Sequence, residues 1–416
     1  MKKISFIVVC LGLNLYAFDM FEAVQRGLDN SHQLKSSQLS QSVSQANLDK
    51  TKSGYRPTLD ANYYASSVEQ NRPDSSVNPS YISLSLGYNL FNGFKDKYAI
   101  KGATESLKNA GFQKEALKED IKLAIELAYI DYLEKRKTLS TKEEAVALVQ
   151  KSLQDTQAYY NQGLVAKNSL LQTKVSLSKT KQDLLVAKSD LLVARESLKR
   201  LLGGKLNFNE EIKELHLEMK DIANIENLVK LGLANRSEIK SLKSAFQESK
   251  YAYNASKSDL YPQVDFALSY TKNGKDGDLA GRSNAYNDET KASFNLSYNL
   301  YKGGAYEANR VASMYKMQIA NEKIKTLELD IILQIKKAKE AYSLALENSK
   351  VAKDAQEYAL ENFSIMQNRY KSQLEKTTDF LQARLDLSEA KIAYTKSLYN
   401  IYAKYLTLLR VVQQNS

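Results

Sequence analysis

The chain has 416 residues, 59 Lys and Arg against 48 Asp and Glu, and a formal net charge of +11. Its one cysteine, Cys10, lies near the start, so the remainder can hold neither disulfides nor thiol or cysteine–metal chemistry. The lysines are interleaved with acids, as in Lys114-Glu115 and Lys118-Glu119-Asp120, which marks solvated helix surface rather than a nucleic-acid footprint.

Met1-Lys2-Lys3 leads into an apolar run from Ile4 to Leu15 and then Tyr16-Ala17-Phe18-Asp19. A charged start, a short apolar core and a small residue describe a signal peptide, 1–17, cut after Ala17. The run is short for a transmembrane helix, and the competing reading is an uncleaved anchor. Val9 before Cys10 rules out a lipoprotein site. Cleavage removes Lys2 and Lys3 and no acid, leaving a net charge of +9. Only four prolines occur, Pro57, Pro73, Pro79 and Pro262, so very long helices are possible.

A first repeat, 18–202, opens with a helix at about 20–55 that carries His32. Two strands follow, at about 58–68 and 80–91, in which apolar and polar residues alternate with period two. Leu59, Ala61, Tyr63 and Ala65 alternate with Asp60, Asn62 and Ser66; Ile82, Leu84, Leu86, Tyr88 and Leu90 alternate with Ser83, Ser85, Gly87 and Asn89. A helical hairpin, 96–201, completes the copy, with one arm of 67 residues, roughly 100 Å long, and one of 34. The connector, 203–226, begins Gly203-Gly204 and contains His216. Both histidines read as ordinary helix-surface or core residues.

The second repeat, 227–412, copies the first and leaves a tail at 413–416. Its helix is at about 227–259, its strands at about 262–272 and 290–301, and its hairpin at 304–412. Pro57-Thr58-Leu59-Asp60 aligns with Pro262-Gln263-Val264-Asp265 at an offset of 205. Tyr88-Asn89-Leu90-Phe91-Asn92-Gly93 aligns with Tyr298-Asn299-Leu300-Tyr301-Lys302-Gly303 at 210, and that offset holds through Leu170-Leu171-Gln172 and Phe380-Leu381-Gln382. The extra residues fall in the loop at 272–290, whose Asp276-Gly277-Asp278 lacks the full spacing of a calcium loop.

Four amphipathic strands of about ten residues suit a tilted crossing of a bilayer. Four cannot close a barrel, and lipid does not tolerate open edges, so strands must be pooled between copies. Tyr63, Tyr64, Tyr81, Tyr88, Tyr270, Tyr298 and Tyr301 lie on or beside them, either as interfacial anchors or through ordinary strand propensity. Heptad stripes mark side-by-side helix packing: Leu170, Leu177, Leu184, Leu191 and Leu198; their mates Phe380, Leu387, Tyr394, Ile401 and Leu408; and Ile324 through Met366 in sevens. In each copy the two short helices together match the long one in length, so each copy can offer one long column beside two stacked short ones.

The Asn-Leu-Phe-Asn-Gly run at 89–93, its copy at 299–303, Pro57 and Pro262 before the strands, and the turn Tyr160-Asn161-Gln162-Gly163-Leu164-Val165-Ala166 resemble the TolC-type outer-membrane efflux protein family over nearly the whole mature chain. The resemblance implies a mainly α, α+β fold, a duplicated helical-hairpin unit. It implies a homotrimer with a 12-stranded outer-membrane β-barrel, four strands per protomer, and a periplasmic α-barrel. It further implies a passive exit channel in outer-membrane lipid, served by an inner-membrane pump and a periplasmic adaptor, with no cofactor. By position, Gly163, Leu164 and Leu374 correspond to adaptor contacts, although Gln373 stands where the family often has glycine. Tyr370 and Asp379 match the family's gate tyrosine and first gate aspartate, while Glu375 and Gln382 depart from its gate pattern. A ring of Asp379 copies would favour cations. Asp379 also suits a helix N-terminus behind the capping candidates Thr377 and Thr378.

No phosphate-cradling loop, zinc spacing or nucleophile elbow occurs, and pairs such as Glu143-Glu144 and Glu210-Glu211 diverge on a helix, so the chain reads as no enzyme. The alternative to a channel is an exported periplasmic coiled-coil scaffold or adaptor, which leaves the matched strands unexplained.

Overall fold

The computed structural model describes residues 19–67, 78–204, 212–215, 224–275, 277 and 288–413. The expected leader, His216, most of the connector and most of both strand loops, Asp276 and Asp278 among them, lie outside these. The described elements are α1 (Met20–Asn30), α2 (His32–Lys52), β1 (Thr58–Ala65), β2 (Pro79–Asn92), α3 (Lys95–Asn161), α4 (Lys167–Leu201), α5 (Ile225–Asn235), α6 (Ser237–Ala255), β3 (Gln263–Lys275), β4 (Asp288–Ser297), α7 (Ala305–Lys371) and α8 (Thr377–Val412). No described helix is long and apolar enough to cross a membrane.

Two expected helices are each broken in two. The first stops at Ser31, whose backbone turns extended and whose Oγ accepts the Leu34 N–H at 3.2 Å, so that it caps a new helix. The second stops at Arg236, the residue 205 positions on, which also leaves helical ψ. Strand limits shift as well. The first strand ends at Ala65 rather than about 68, and the last ends at Ser297 rather than 301.

The chain forms two compact units. One comprises the described residues of Met1–Lys35, Ala116–Arg236 and Leu329–Ser416. Its core follows from helical spacing: Ile121, Ile125, Tyr129 and Leu133 recur every fourth residue on α3 and are buried against Ala194, Leu198 and Leu202 of α4 and its end, and Ala23 and Val24 of α1. Each fully buried leucine, isoleucine or valine among them contributes about 1.5–3 kcal/mol of burial. Helix ends meet through glycine. A Cβ on Gly27 would collide with Ile125 and lie 3.3 Å from Leu201 O; one on Gly232 would lie 2.6 Å from Ile335 and 3.7 Å from Val411 O. Ile125 and Ile335, like Leu201 and Val411, are 210 apart, so both copies make the same junction. The heptad stripes face inward here: Leu170, Leu198, Phe380, Leu387, Ile401, Leu408, Ile331 and Ala345 are all buried.

The other unit comprises Ser36–Glu115 and Ser237–Glu328. Its sheet is antiparallel in the order β1-β2-β3-β4. Thr58 pairs with Gly87 and Gln263 with Ser297, the same register in both copies once the offsets are applied. The registers align Leu59, Leu86, Leu268 and Ala292 in one row and Ala61, Leu84, Tyr270 and Thr290 in the next. Up to the bulge at Asn89/Phe91, which puts Phe91 rather than Leu90 opposite Val264, the period-two apolar sets lie on one face, and Asp60, Ser85, Ser269 and Lys291 lie on the other. Neither outer strand has a buried residue. The seam between the copies, β2 on β3, is reinforced by side chains at the ends of these strands and on the helices beyond them. Asn89 Nδ2 donates to Asp265 Oδ1 at 2.7 Å, Phe91 meets the Tyr261 ring edge-on, and Ser241 Oγ meets Asn109 Oδ1 at 2.5 Å.

Candidate functional site at the hairpin turns

Two turns, α3 to α4 and α7 to α8, belong to the first unit and carry all the predicted site residues. Both are built alike. Leu164 N–H bonds Tyr159 O and Gly163 N–H bonds Tyr160 O; Leu374 N–H bonds Arg369 O and Gln373 N–H bonds Tyr370 O. That paired pattern is a Schellman close, which needs a left-handed residue after the helix. Gly163 supplies it at φ +74° and Gln373 at φ +59°, the latter without glycine's freedom. The following apolar residue normally packs back on the helix. Here Leu164 is 49% exposed and Leu374 is 71% exposed, so two leucines face outward at the tips.

Tyr370 is a buried residue. Its ring stacks on Phe380 at 4.6 Å and 5° between planes, Tyr159 meets it edge-on at 6.3 Å, and Phe363 stacks on the far side of the cluster against Phe380. Its hydroxyl lies 2.9 Å from Thr156 Oγ1 on α3, which itself donates to Ser152 O at 2.8 Å. The bond thus ties the first hairpin to the second. Sequence reasoning placed Phe380 only in a heptad stripe and did not single out Thr156 at all.

Asp379 is exposed, in the first turn of α8, with Thr378 Oγ1 donating to its Oδ1 at 3.1 Å. The expected threonine cap is not made. The N-cap is Lys376, with no side-chain cap bond, and Thr377 is buried. Glu375 forms an ion pair with Arg369 at 2.9 Å across its own turn. The structure therefore does not bring Tyr370 and Asp379 into one constellation: the first is a core tie, the second a free-facing carboxylate. Nearby, Arg384 of α8 is buried among α3, α4 and α8, bonding Ser176 Oγ at 2.9 Å and Ala145 O at 3.4 Å. Burial pulls its guanidinium down to about 10, and its Nε has no hydrogen-bond partner among the described residues.

No group of His, Cys, Asp and Glu among the described residues could hold a metal ion. A family model described as outer membrane efflux protein matches residues 23–204 and 228–412. No curated protein matches by sequence. Solved structures share the fold at low identity. The Campylobacter jejuni CmeC outer membrane channel superposes with a TM-score of 0.84 at 16% identity, over 95% of this chain and 87% of its own. The Vibrio cholerae outer membrane protein VceC gives 0.79 at 16%, over 94% and 95%. The open-state Neisseria gonorrhoeae MtrE outer membrane channel gives 0.80 at 13%, over 94% and 88%.

Proposed function

The chain belongs to the outer membrane efflux protein family, and we propose that it is the outer-membrane channel of a tripartite export system. It conducts substrates passively, whether drugs, other small molecules or proteins, from an inner-membrane pump and a periplasmic adaptor to the exterior. Three copies pool their strands into a 12-stranded barrel in the outer membrane and their helices into a long periplasmic duct. The sheet carries this reading. One face collects the apolar residues of all four strands, yet Leu59, Leu84, Phe294 and Leu296 on it are exposed and no core covers them. A sheet wet on one face and bare-apolar on the other, with β1 and β4 open at its edges, is stable only when lipid takes the apolar face and other strands take the edges.

The hairpin turns form the periplasmic end, with Tyr370 and Asp379 as gate residues and Gly163, Leu164 and Leu374 as adaptor contacts. Two outward leucines at Schellman closes support the contact role, because an apolar adaptor tip would cover them. An exposed Asp379 supports the gate role, since a carboxylate that faces solvent can face ions. Membrane fractionation with planar-bilayer recording tests the reading. A heat-labile oligomer in the outer membrane that conducts ions is expected, and a soluble periplasmic protein without conductance would sink it.

A further inference from the structure

The registers separate the sheet's aromatic residues into two groups. Tyr63, Tyr88, Phe91, Phe266, Tyr270 and Phe294 go with the apolar face, where rings at a lipid boundary belong. Tyr64 and Tyr81 do not. They stand an even number of residues from Asp60 and Ser85, so both lie on the polar face. Resting on the channel reading above, in which that face lines the pore, we infer that Tyr64 and Tyr81 form an aromatic binding site inside the barrel, on which flat aromatic cations stack as they leave.

Three observations carry this. First, the two rings are paired. Tyr64 lies directly opposite Tyr81, and their rings stack at 5.1 Å and 24° between planes. Yet Tyr64 is 45% exposed, so the pair is open to whatever fills the lumen. Second, nothing else on this face is like them. Its middle is built of small residues, Ser83, Ser85, Gly87, Ala267, Ser269 and Ser293, and Tyr64 and Tyr81 are its only aromatic residues among those described. The proposed 12-stranded barrel, with strands about 4.8 Å apart and tilted about 40°, is about 24 Å across between backbones, so small residues leave it wide. Rings enter it at one level only, about 20 Å along β1 from Thr58, at the end of the strands away from the helices. Third, charge favours a cation. Among the described side chains this face carries Asp60, Asp265 and Glu289 against Lys291, and Glu289 stands in the row next to the tyrosines, opposite Thr271.

The ligand class follows from the rings. The face of a tyrosine ring carries negative quadrupole charge, so it attracts cations and offset-stacked aromatic rings, and a flat aromatic cation gains both at once. Stacking uses the π-face and not a hydrogen-bond pattern, so it tolerates many ring systems. The site therefore selects a shape and a charge rather than one molecule. A cross-strand tyrosine pair stabilises a sheet from either face. Only on this face does it meet a passing solute.

The test uses the full chain in planar bilayers, with ethidium as the flat aromatic cation and spermidine as an aliphatic one. Ethidium should block the open channel. Tyr64→Ser with Tyr81→Ser should weaken that block about tenfold and change the spermidine block by less than about twofold. Tyr64→Leu with Tyr81→Leu keeps the bulk and removes the rings. It should lose the ethidium block as well, and it stands in for a serine pair that fails to assemble. Tyr64→Phe with Tyr81→Phe should keep the block. Glu289→Gln with Asp60→Asn should weaken both blocks, and two unchanged blocks there overturn the preference for cations. An ethidium block that survives in the leucine pair, or that falls in step with the spermidine block, overturns the aromatic site and leaves the channel reading standing. So does a parent that conducts but is never blocked by ethidium. A parent without conductance overturns the channel reading, and the site with it.

Discussion

Removing the Thr156 hydroxyl should loosen the hairpin turns more than removing the Tyr370 hydroxyl that meets it. Thr156 spends its one hydroxyl hydrogen on Ser152 O, so Tyr370 is the donor across the 2.9 Å contact. Thr156 is fully buried and Tyr370 is 6% exposed, so neither group has water as a substitute. In Tyr370→Phe, Thr156 keeps its own donation, and the loss is one net hydrogen bond, about 0.5–1.5 kcal/mol. In Thr156→Val a buried phenol is left without an acceptor, at a cost of about 1–3 kcal/mol. At about 1.4 kcal/mol per tenfold, local opening rises roughly 2- to 12-fold in the first and roughly 5- to 140-fold in the second. Replacing both partners by apolar groups of the same shape is nearly neutral, so the double variant should recover most of the Thr156→Val loss. Amide hydrogen exchange across 363–371 reads these openings directly, and open probability in planar bilayers reads whether they reach the proposed gate. Equal losses in the two single variants, or a double variant no better than Thr156→Val, would refute the assignment of donor and acceptor.

Three further outcomes are expected. Asp379→Ala should weaken cation selectivity and cation block of single channels, with only about 0.3–1 kcal/mol of helix stability at stake; an unchanged reversal potential under a salt gradient would count against a gate role. Gln373→Gly should raise thermal stability by up to about 1 kcal/mol, the left-handed penalty of about 1–2 less glycine's added chain freedom, whereas Gly163→Ala should lower it. Burial pushes the Glu126 carboxyl up to about 7, against a smaller pull from Lys122. The folded state therefore holds this proton more tightly than an unfolded chain does, so its stabilising effect is complete below about pH 4.5 and is lost as pH rises through 7. Unfolding free energy, followed through the thermal midpoint, should fall between about pH 4.5 and 7 by at most about 3 kcal/mol per chain, and Glu126→Gln should flatten that slope.

The sequence periodicities were legible because they report packing that is local to one helix or strand. Every member of the Leu170–Leu198 and Phe380–Leu408 stripes is buried or half-buried, and the period-two sets of the four strands share one sheet face as far as the bulge at Asn89/Phe91. What periodicity does not carry is a break that keeps the phase. Ser31 interrupts the first helix without disturbing the apolar spacing, and only the Asn30-Ser31 capping chemistry hints at it. Contacts between distant elements were equally hidden. Thr156 and Tyr370 are 214 residues apart, and no spacing rule joins a threonine on one hairpin to a tyrosine on the other. The threonines before Asp379 suggested a cap, but the turn closes one residue earlier on Lys376.

The duplication also separates what the backbone demands from what each copy supplies. Left-handed residues recur at matching places in the two copies, among them the second residue of the strand-to-helix turn and the Schellman position of the hairpin. At the first, Phe94 at φ +66° faces its mate Gly304 at +79°; at the second, Gly163 at +74° faces Gln373 at +59°. The conformation is kept in both copies whether or not glycine is there, so the fold imposes it. Of these two positions, each copy carries the costlier residue once, at the opposite end of its long helix. At Phe94 the side chain repays the strain, with its ring edge-on to Phe91 at 5.1 Å and to Tyr261 at 5.7 Å inside the seam. Gln373 makes no such ring contact, and it stands beside the outward Leu374 and the Arg369–Glu375 pair. Left-handed strain of about 1–2 kcal/mol at an exposed turn is what the proposed gate or adaptor contact would account for. The second hairpin turn, rather than the first, is therefore where a change in either should be felt.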